Sequence, residues 1–211
     1  SQSLGMGKDL SDTFLEAKEV FQEIDDSLNQ SLSKVMFEGP EDQLILTENA
    51  QPALMAVSLA VIRVIERQGS ISIKNTARYV AGHSLGEYSA LAAAGSISIA
   101  DTARLLKKRG CAMQEAVPVG QGAMAALIGL DLDSVREVIS ESSTNEEVCA
   151  AANDNAPGQI VISGHTAAVE RAADLAKNRG AKKAIMLAVS APFHCSLMAP
   201  AAEVMEGALS N

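Results

Sequence analysis

The sequence has no tryptophan, and its aromatic residues are four Phe and two Tyr. A core must therefore be assembled from Ala, Val, Ile, Leu and Met. Positive charge is also scarce. Seventeen Lys and Arg against 26 Asp and Glu leave a net charge of −9, which argues against a general nucleic-acid binder. No apolar run reaches the roughly 20 residues that cross a bilayer, so no membrane segment is expected. No secretory signal is visible, although the chain opens at Ser1 and not at Met. Cys111, Cys149 and Cys195 form an odd, scattered set. That pattern excludes a disulfide framework and a cysteine zinc site, and it favours reduced thiols in a cytoplasmic protein. The 211 residues suffice for one large domain or two small ones.

One stretch stands out, Val80-Ala81-Gly82-His83-Ser84-Leu85-Gly86-Glu87. Arg78, Tyr79 and Val80 read as the end of a short strand, and residues 85–94 as a helix of small side chains. Between them lies Gly82-x-Ser84-x-Gly86, the spacing of a nucleophile elbow, a sharp strand-to-helix turn that exposes one serine. Such a turn needs backbone without Cβ where its two arms nearly touch. The helix that follows points free N–H groups at the serine, which suits a developing oxyanion. The bare pattern should occur by chance in roughly one such chain in ten, so its strand and helix context carries the reading.

Hydrophobic periodicity places an amphipathic helix at 10–28, with Phe14, Ala17, Phe21, Ile24 and Leu28 on one face. Residues 31–47 are mixed, with a short apolar piece at Leu44-Ile45-Leu46. A long helix follows at 48–68, with Pro52 in its first turn, Gly69 as its stop and a largely buried body at 53–65. Residues 70–77 read as a loop. Ser98-Ile99-Ala100-Asp101 resembles a capping box opening a helix to Ala116, with Pro118 beyond. One face of that helix carries Thr102, Leu105, Leu106, Arg109 and Met113. An unpaired charge in such a stripe is costly, so Arg109 calls for a carboxylate from the protein or from a ligand. A structural ion pair or an outward-snorkelling side chain are the alternatives.

From residue 123 the pattern tightens. Strands at 123–129, 148–153, 159–163 and 183–189 alternate with helices at 132–142 and 166–179, the first two strands of that set enclosing one helix and the last two the other. Asn155-Ala156-Pro157-Gly158 forms a turn, and Gly180 closes the second helix. The order βαββαβ is that of a ferredoxin-like unit. It reads as a small domain, 121–190, inserted into a larger one made of 1–120 and 191–211. Its links are 117–122 and 190–192. Residues 190–194 form a loop, and 196–209 a helix.

A serine hydroxyl needs a base, and three histidines are on offer. His83 should point away from Ser84 and serve as a packed structural imidazole. His165, at the start of a small-domain helix, reads as a solvated or capping residue. His194 follows the return from the insertion, in a Pro-containing loop free to come back over the elbow, and is the candidate base. Cys195 has no activating turn beside it and reads as a bystander.

Five stretches in combination resemble the malonyl-CoA:acyl carrier protein transacylase family, along essentially the whole chain. They are Gly82-His83-Ser84-Leu85-Gly86-Glu87-Tyr88, Arg109 with Met113-Gln114-Glu115-Ala116, Gly122-Ala123-Met124-Ala125-Ala126, Asn155-Ala156-Pro157-Gly158-Gln159 and Ala191-Pro192-Phe193-His194. The resemblance implies an α/β fold with an α/β-hydrolase-like large domain and a ferredoxin-like insertion. It implies Ser84 as nucleophile and His194 as general base, then acid. Arg109 would hold the malonyl carboxylate by a two-pronged ion pair, and the Leu85 N–H would supply half of an oxyanion hole. Phe193 would mark a malonyl-sized pocket, and Gln51 would line the site. The partners implied are malonyl-CoA and acyl carrier protein in a ping-pong transfer, with no metal or cofactor.

Two departures carry expectations of their own. The family opens with a Gly-Gln-Gly-Ser-Gln type loop where this chain begins at Ser1-Gln2, and the family continues past Asn211. The expected consequence is one absent oxyanion donor, worth about 100- to 1,000-fold in rate. Lys177, Arg179, Lys182 and Lys183 offer a basic cluster for an acidic carrier, or else a solvated face. A serine hydrolase or thioesterase on the same elbow, and a catalytically impaired folded piece, are the rival readings.

Overall fold

The computed structural model describes residues 2–118 and 120–210. By their contacts these fall into two units that part between Cys111 and Ala112. Val119, within the expected 117–122 link, and the chain ends Ser1 and Asn211 lie outside the described residues.

The described part of the first unit is helical. It comprises α1 (Lys8–Thr13), α2 (Leu15–Leu28), α3 (Leu32–Glu38), α4 (Glu41–Ile45), α5 (Thr47–Gly69), α6 (Ile73–Thr76), α7 (Leu85–Ala93) and α8 (Ile99–Ala116), the last of which runs past the boundary. The core joins Ala17, Val20, Phe21 and Ile24 of α2 to Ala53, Met55, Ala56, Leu59 and Ala60 of α5, with Leu32, Met36, Leu44, Ala103 and Leu106 around them. Phe21 meets Phe37 edge to face, with ring centres 5.3 Å apart. The alanines let helix axes draw close. The limit is reached at Gly110 of α8, where a Cβ would run into the Glu48 backbone and the Thr47 carbonyl of α5.

Several expectations need correction. The single helix at 10–28 is broken at Phe14, which is extended at φ −122°, ψ 121°. Periodicity did not see the break because Phe14 still packs against the same core. The mixed stretch 31–47 resolves into α3 and α4, and the 70–77 loop contains the short α6. Helix α5 starts at Thr47, so Pro52 sits in its second turn, not its first. Gly69 is still helical and the stop falls on Ser70, which is left-handed at φ 51°. The burial of α5 fades along its length, and Val61 and Ile65 are exposed. No strand forms at 78–80. A strand needs a ladder partner, none of the described strands pairs there, and Tyr79 is 82% exposed. The Ser98 cap is as expected: Ser98 Oγ accepts from the Asp101 N–H at 3.0 Å and donates to the Asp101 carboxylate at 2.6 Å.

The second unit holds β1 (Gly122–Ile128), α9 (Leu132–Ser142), β2 (Cys149–Ala156), β3 (Gln159–His165), α10 (Thr166–Asn178), β4 (Lys183–Met186), a 3-10 turn (Ser196–Met198) and α11 (Ala199–Leu209). The strands form one antiparallel sheet in the order β2-β3-β1-β4. Alternate residues Ala125 and Leu127 of β1 and Ile160 and Ile162 of β3 bury against Val135 and Val138 of α9 and Val169, Ala172 and Ala176 of α10. Asp131 caps α9 by accepting from the Ser134 N–H at 2.8 Å. β4 is shorter than expected because its pairing with β1 ends at Ala125↔Met186. β2 is longer, and irregular between Ala151 and Asn153 and between Asp154 and Ala156. Residues 191–209 belong by contact to this second unit.

Cys149 and Cys195 are free thiols, and Cys111 donates its Sγ–H to Glu48 Oε2 at 3.2 Å. Burial pushes the Cys149 thiol up to about 11. Among the described residues no helix is long and apolar enough to cross a membrane, and no group of three His, Cys, Asp or Glu could hold a metal ion.

Two outcomes are expected. Gly110→Ala forces α8 away from α5 and lowers stability in urea unfolding by about 1–3 kcal/mol, the usual cost of overpacking. In native alkylation at pH 8, Cys149 stays unmodified while Cys111 and Cys195, both partly exposed, react; modification of Cys149 at the same rate would contradict its burial.

Candidate active site

Ser84 sits immediately before α7 with φ 55° and ψ −115°. A residue with a Cβ adopts this region only under strain of about 1–3 kcal/mol, which is the signature of an elbow. The turn is closed by two backbone bonds, Gly86 N–H to the His83 carbonyl at 2.9 Å and Glu87 N–H to the Ser84 carbonyl at 3.1 Å. The two glycines are not equivalent. A Cβ on Gly82 would overlap the Gly86 carbonyl, whereas a Cβ on Gly86 would meet nothing within 4 Å. Only Gly82 is required by the close approach. Leu85 opens α7, so its N–H belongs to the first turn, where helical partners are lacking.

Arg109 lies on the buried face of α8 beside Leu106 and Thr102. The carboxylate expected for it is not there. Among the described residues no Asp or Glu oxygen lies within 4.0 Å of its guanidinium. Its Nη1 donates to Gln51 Oε1 at 2.6 Å, its Nη2 donates to Ser84 Oγ at 3.1 Å, and its Cζ stands 5.9 Å from the centre of the Tyr88 ring. Burial lowers its pKa, opposed by Tyr88 and Glu87 nearby. Burial raises the pKa of the Tyr88 phenol, and Arg109 beside it works the other way. Gln51 is 4% exposed, and its Nε2 donates to Thr47 Oγ1 at 2.9 Å.

The structure therefore brings Ser84, Leu85, Arg109 and Gln51 together within the first unit. His194 and Phe193 share a loop of the second. Ala191 and Pro192 are buried at its start, with Pro192 seated where a Gly122 Cβ would be. The Phe193 N–H donates to the Ala191 carbonyl at 3.1 Å, and its ring packs on Met113, Val117, Met198 and Ala201. His194 is exposed and left-handed at φ 59°, one of four described non-glycine residues with positive φ, beside Asn29, Ser70 and Ser84. Cys195 Sγ donates to the Pro192 carbonyl at 3.2 Å.

The other histidines differ from expectation in detail. His83 is exposed, not packed, because the elbow turns it outward. His165 does not cap α10 with its side chain; its Nδ1 accepts from the Val148 N–H at 2.9 Å and ties β3 to the start of β2. In the basic cluster, Lys177 pairs with Asp174 at 2.9 Å, and Arg179 pairs with Glu137 at 2.8 Å and with Glu141. Lys182 and Lys183 are exposed. Sequence reading did not single out Thr47 or Tyr88. The usable signal was helical spacing: Thr47 lies four residues before Gln51, and Tyr88 four after Ser84.

A strained serine at a helix start, beside a half-buried arginine held by neutral groups, defines a serine-elbow protein of mixed α/β fold. The chain belongs to the acyl transferase domain family, whose sequence profile matches residues 1–211. It is 48% identical over 209 residues to the malonyl CoA-acyl carrier protein transacylase of Bacillus subtilis, which covers 99% of this chain and 64% of that protein. It also resembles the solved acyl-carrier-protein-S-malonyltransferase of Bartonella henselae, with 57% identity and a TM-score of 0.95 over 100% of this chain and 67% of that one. A chain of the solved complex between a type II PKS acyl-carrier protein and its malonyl-transacylase matches at 44% identity and a TM-score of 0.92, over 99% of this chain and 66% of that one. The chain thus spans about two thirds of the length of these relatives.

The asymmetry of the elbow is testable in urea. Gly82→Ala is expected to lower stability by about 1–3 kcal/mol or more through the clash. Gly86→Ala should stay within about 0.5 kcal/mol of the parent; equal losses would show that the close approach is not one-sided.

Proposed function

We propose that this chain carries the chemistry of a malonyl-CoA:acyl carrier protein transacylase, moving a malonyl group from CoA to the phosphopantetheine thiol of the carrier through an ester on Ser84. The observation that carries the reading is the half-buried Arg109, whose Nη2 reaches Ser84 Oγ at 3.1 Å without a carboxylate of the protein to neutralise it. A half-buried guanidinium beside a nucleophile favours an acyl group that ends in a carboxylate. A hydrolase of neutral esters has no use for it.

In this reading His194 takes the Ser84 hydroxyl proton as Oγ attacks the thioester carbonyl. The Leu85 N–H receives the oxyanion. The C–S bond breaks as His194 returns the proton to the CoA sulfur. In the second half the carrier thiol gives its proton to His194 and attacks the Ser84 ester, and the proton passes back to Oγ. On the same reading Phe193 would limit the size of the acyl group, and Gln51 accepts from Arg109. The relatives' names support the donor, and the solved carrier complex supports the acceptor.

We read the domains as an α/β-hydrolase-like body, 1–120 and 191–211, with a ferredoxin-like insertion, 121–190. The βαββαβ order and the β2-β3-β1-β4 sheet support the second of these. The free thiols support a cytoplasmic setting.

Intact-mass spectrometry after brief exposure to malonyl-CoA tests the reading. One malonyl adduct is expected, absent in Ser84→Ala. Arg109→Ala should slow malonyl uptake by about 100-fold, the worth of a charge-assisted contact of roughly 3 kcal/mol, while neutral acyl groups lose less. A chain that unfolds cooperatively yet never takes up the adduct overturns it.

A further inference from the structure

Arg109 is held by an unusual set of partners for a half-buried cation. Thr47 Oγ1, the Gln51 amide, the guanidinium and Ser84 Oγ form one chain of hydrogen bonds, at 2.9, 2.6 and 3.1 Å. The Tyr88 ring covers the guanidinium carbon. Every member except Arg109 is uncharged. The nearby acids are engaged elsewhere or exposed. Glu48 is tied to Lys107 at 3.1 Å and to Cys111 at 3.2 Å, Asp101 to Arg104 at 2.6 Å, and Glu87 is exposed.

We propose that Thr47 and Gln51 are positioning residues that aim Arg109 at Ser84 while leaving its positive charge uncompensated, and that an amide in place of a carboxylate at position 51 sets the preference for acidic acyl groups. A guanidinium has donors only, so it must be held by an acceptor. A glutamate would hold it equally well but would cancel the charge that a substrate carboxylate needs. A glutamine supplies the acceptor without the charge. The amide can be turned, however, and the reversed orientation would set its NH2 against the guanidinium. Thr47 removes that ambiguity. Its Oγ1 accepts from Nε2 one turn earlier on α5, with Thr47 6% and Gln51 4% exposed, so the amide oxygen is left facing Arg109. Tyr88 adds attraction through its ring face, again without charge.

The substrate half of this proposal rests on the malonyl-transfer reading; the geometric half does not. Two measurements separate them. The first is the ratio of malonyl to acetyl uptake from the two CoA esters, by intact mass, in Thr47→Val, Thr47→Ser and Gln51→Glu. Thr47→Val is expected to lower the ratio about 10-fold and Gln51→Glu about 10- to 100-fold, the range for a hydrogen bond to a charged group, with Thr47→Ser restoring it. A merely structural role would depress both donors together and leave the ratio alone. The second is nuclear magnetic resonance of the Arg109 side chain, assigned with Arg109→Lys. Anchoring at Nη1 predicts separate, slowly exchanging Hη signals in the parent chain that merge in Thr47→Val and persist in Gln51→Glu. No ester in the parent chain, with the Arg109 signals behaving as stated, removes the transfer reading and the specificity role but keeps the positioning. An ester in the parent chain with ratio and signals unchanged in Thr47→Val overturns the positioning. Altered signals with an unchanged ratio overturn the specificity role.

Discussion

A guanidinium half-buried without a counter-ion is expensive, and in the first unit the surrounding helices are arranged so that Arg109 can be tolerated there. Burial works against its charged form. Two charge-assisted hydrogen bonds and an aromatic face work for it. Those contacts exist only if α8 lies almost on top of the start of α5. Gly110, the next residue, permits that by presenting no Cβ to the Glu48 backbone. The same device recurs at the elbow, where Gly82 lets the incoming chain pass the Gly86 carbonyl. The position of Arg109 relative to Ser84 is thus set by two places where backbones touch. Side-chain identity then decides what the arginine binds.

Much of this was written in local pattern. The Ser98 cap, the limits of α8, the helix at 132–142 and the βαββαβ order follow from periodicity and turn chemistry. So did Arg109 as a charge in an apolar stripe. What could not be read was its partner, which comes from 58 residues earlier in the chain and is an amide where simple electrostatics asked for an acid. The break at Phe14 escaped because both sides of it bury the same face. The missing strand at 78–80 escaped for the opposite reason, since strand character depends on a neighbour that the stretch itself does not specify. Gly82 and Gly86 look alike in a motif, and only coordinates show that one is a steric necessity and the other is not.

In the second unit the two ends of the βαββαβ segment are brought together. β1 and β4 are antiparallel neighbours, so the end of β4 lies beside the start of β1. The Leu187 N–H extends that pairing by donating to the Met124 carbonyl at 2.9 Å. Further on, Pro192 rests on Gly122 so closely that a Cβ there would overlap its ring. The segment that leaves the sheet therefore returns to the point where the chain came in. Adjacent ends of this kind are what the insertion reading of the segment requires. The same contact fixes Pro192, at the start of the loop that carries Phe193 and His194, on the first residue of β1.

Strain and unmet charge coincide in this molecule. Ser84 is left-handed at the head of α7, Arg109 lacks a counter-ion, and His194 is left-handed in its own loop. Each runs against local preference, and together they cost several kcal/mol by the usual scale of such features. Local rules are broken most often where a protein acts. On the malonyl reading the charge cost has a release, because the ester on Ser84 brings the carboxylate that Arg109 lacks. The guanidinium would then be less well satisfied in the free enzyme than in the acyl-enzyme. That ordering favours a covalent intermediate that persists until a thiol arrives, which is what a transfer reaction requires and a hydrolase avoids.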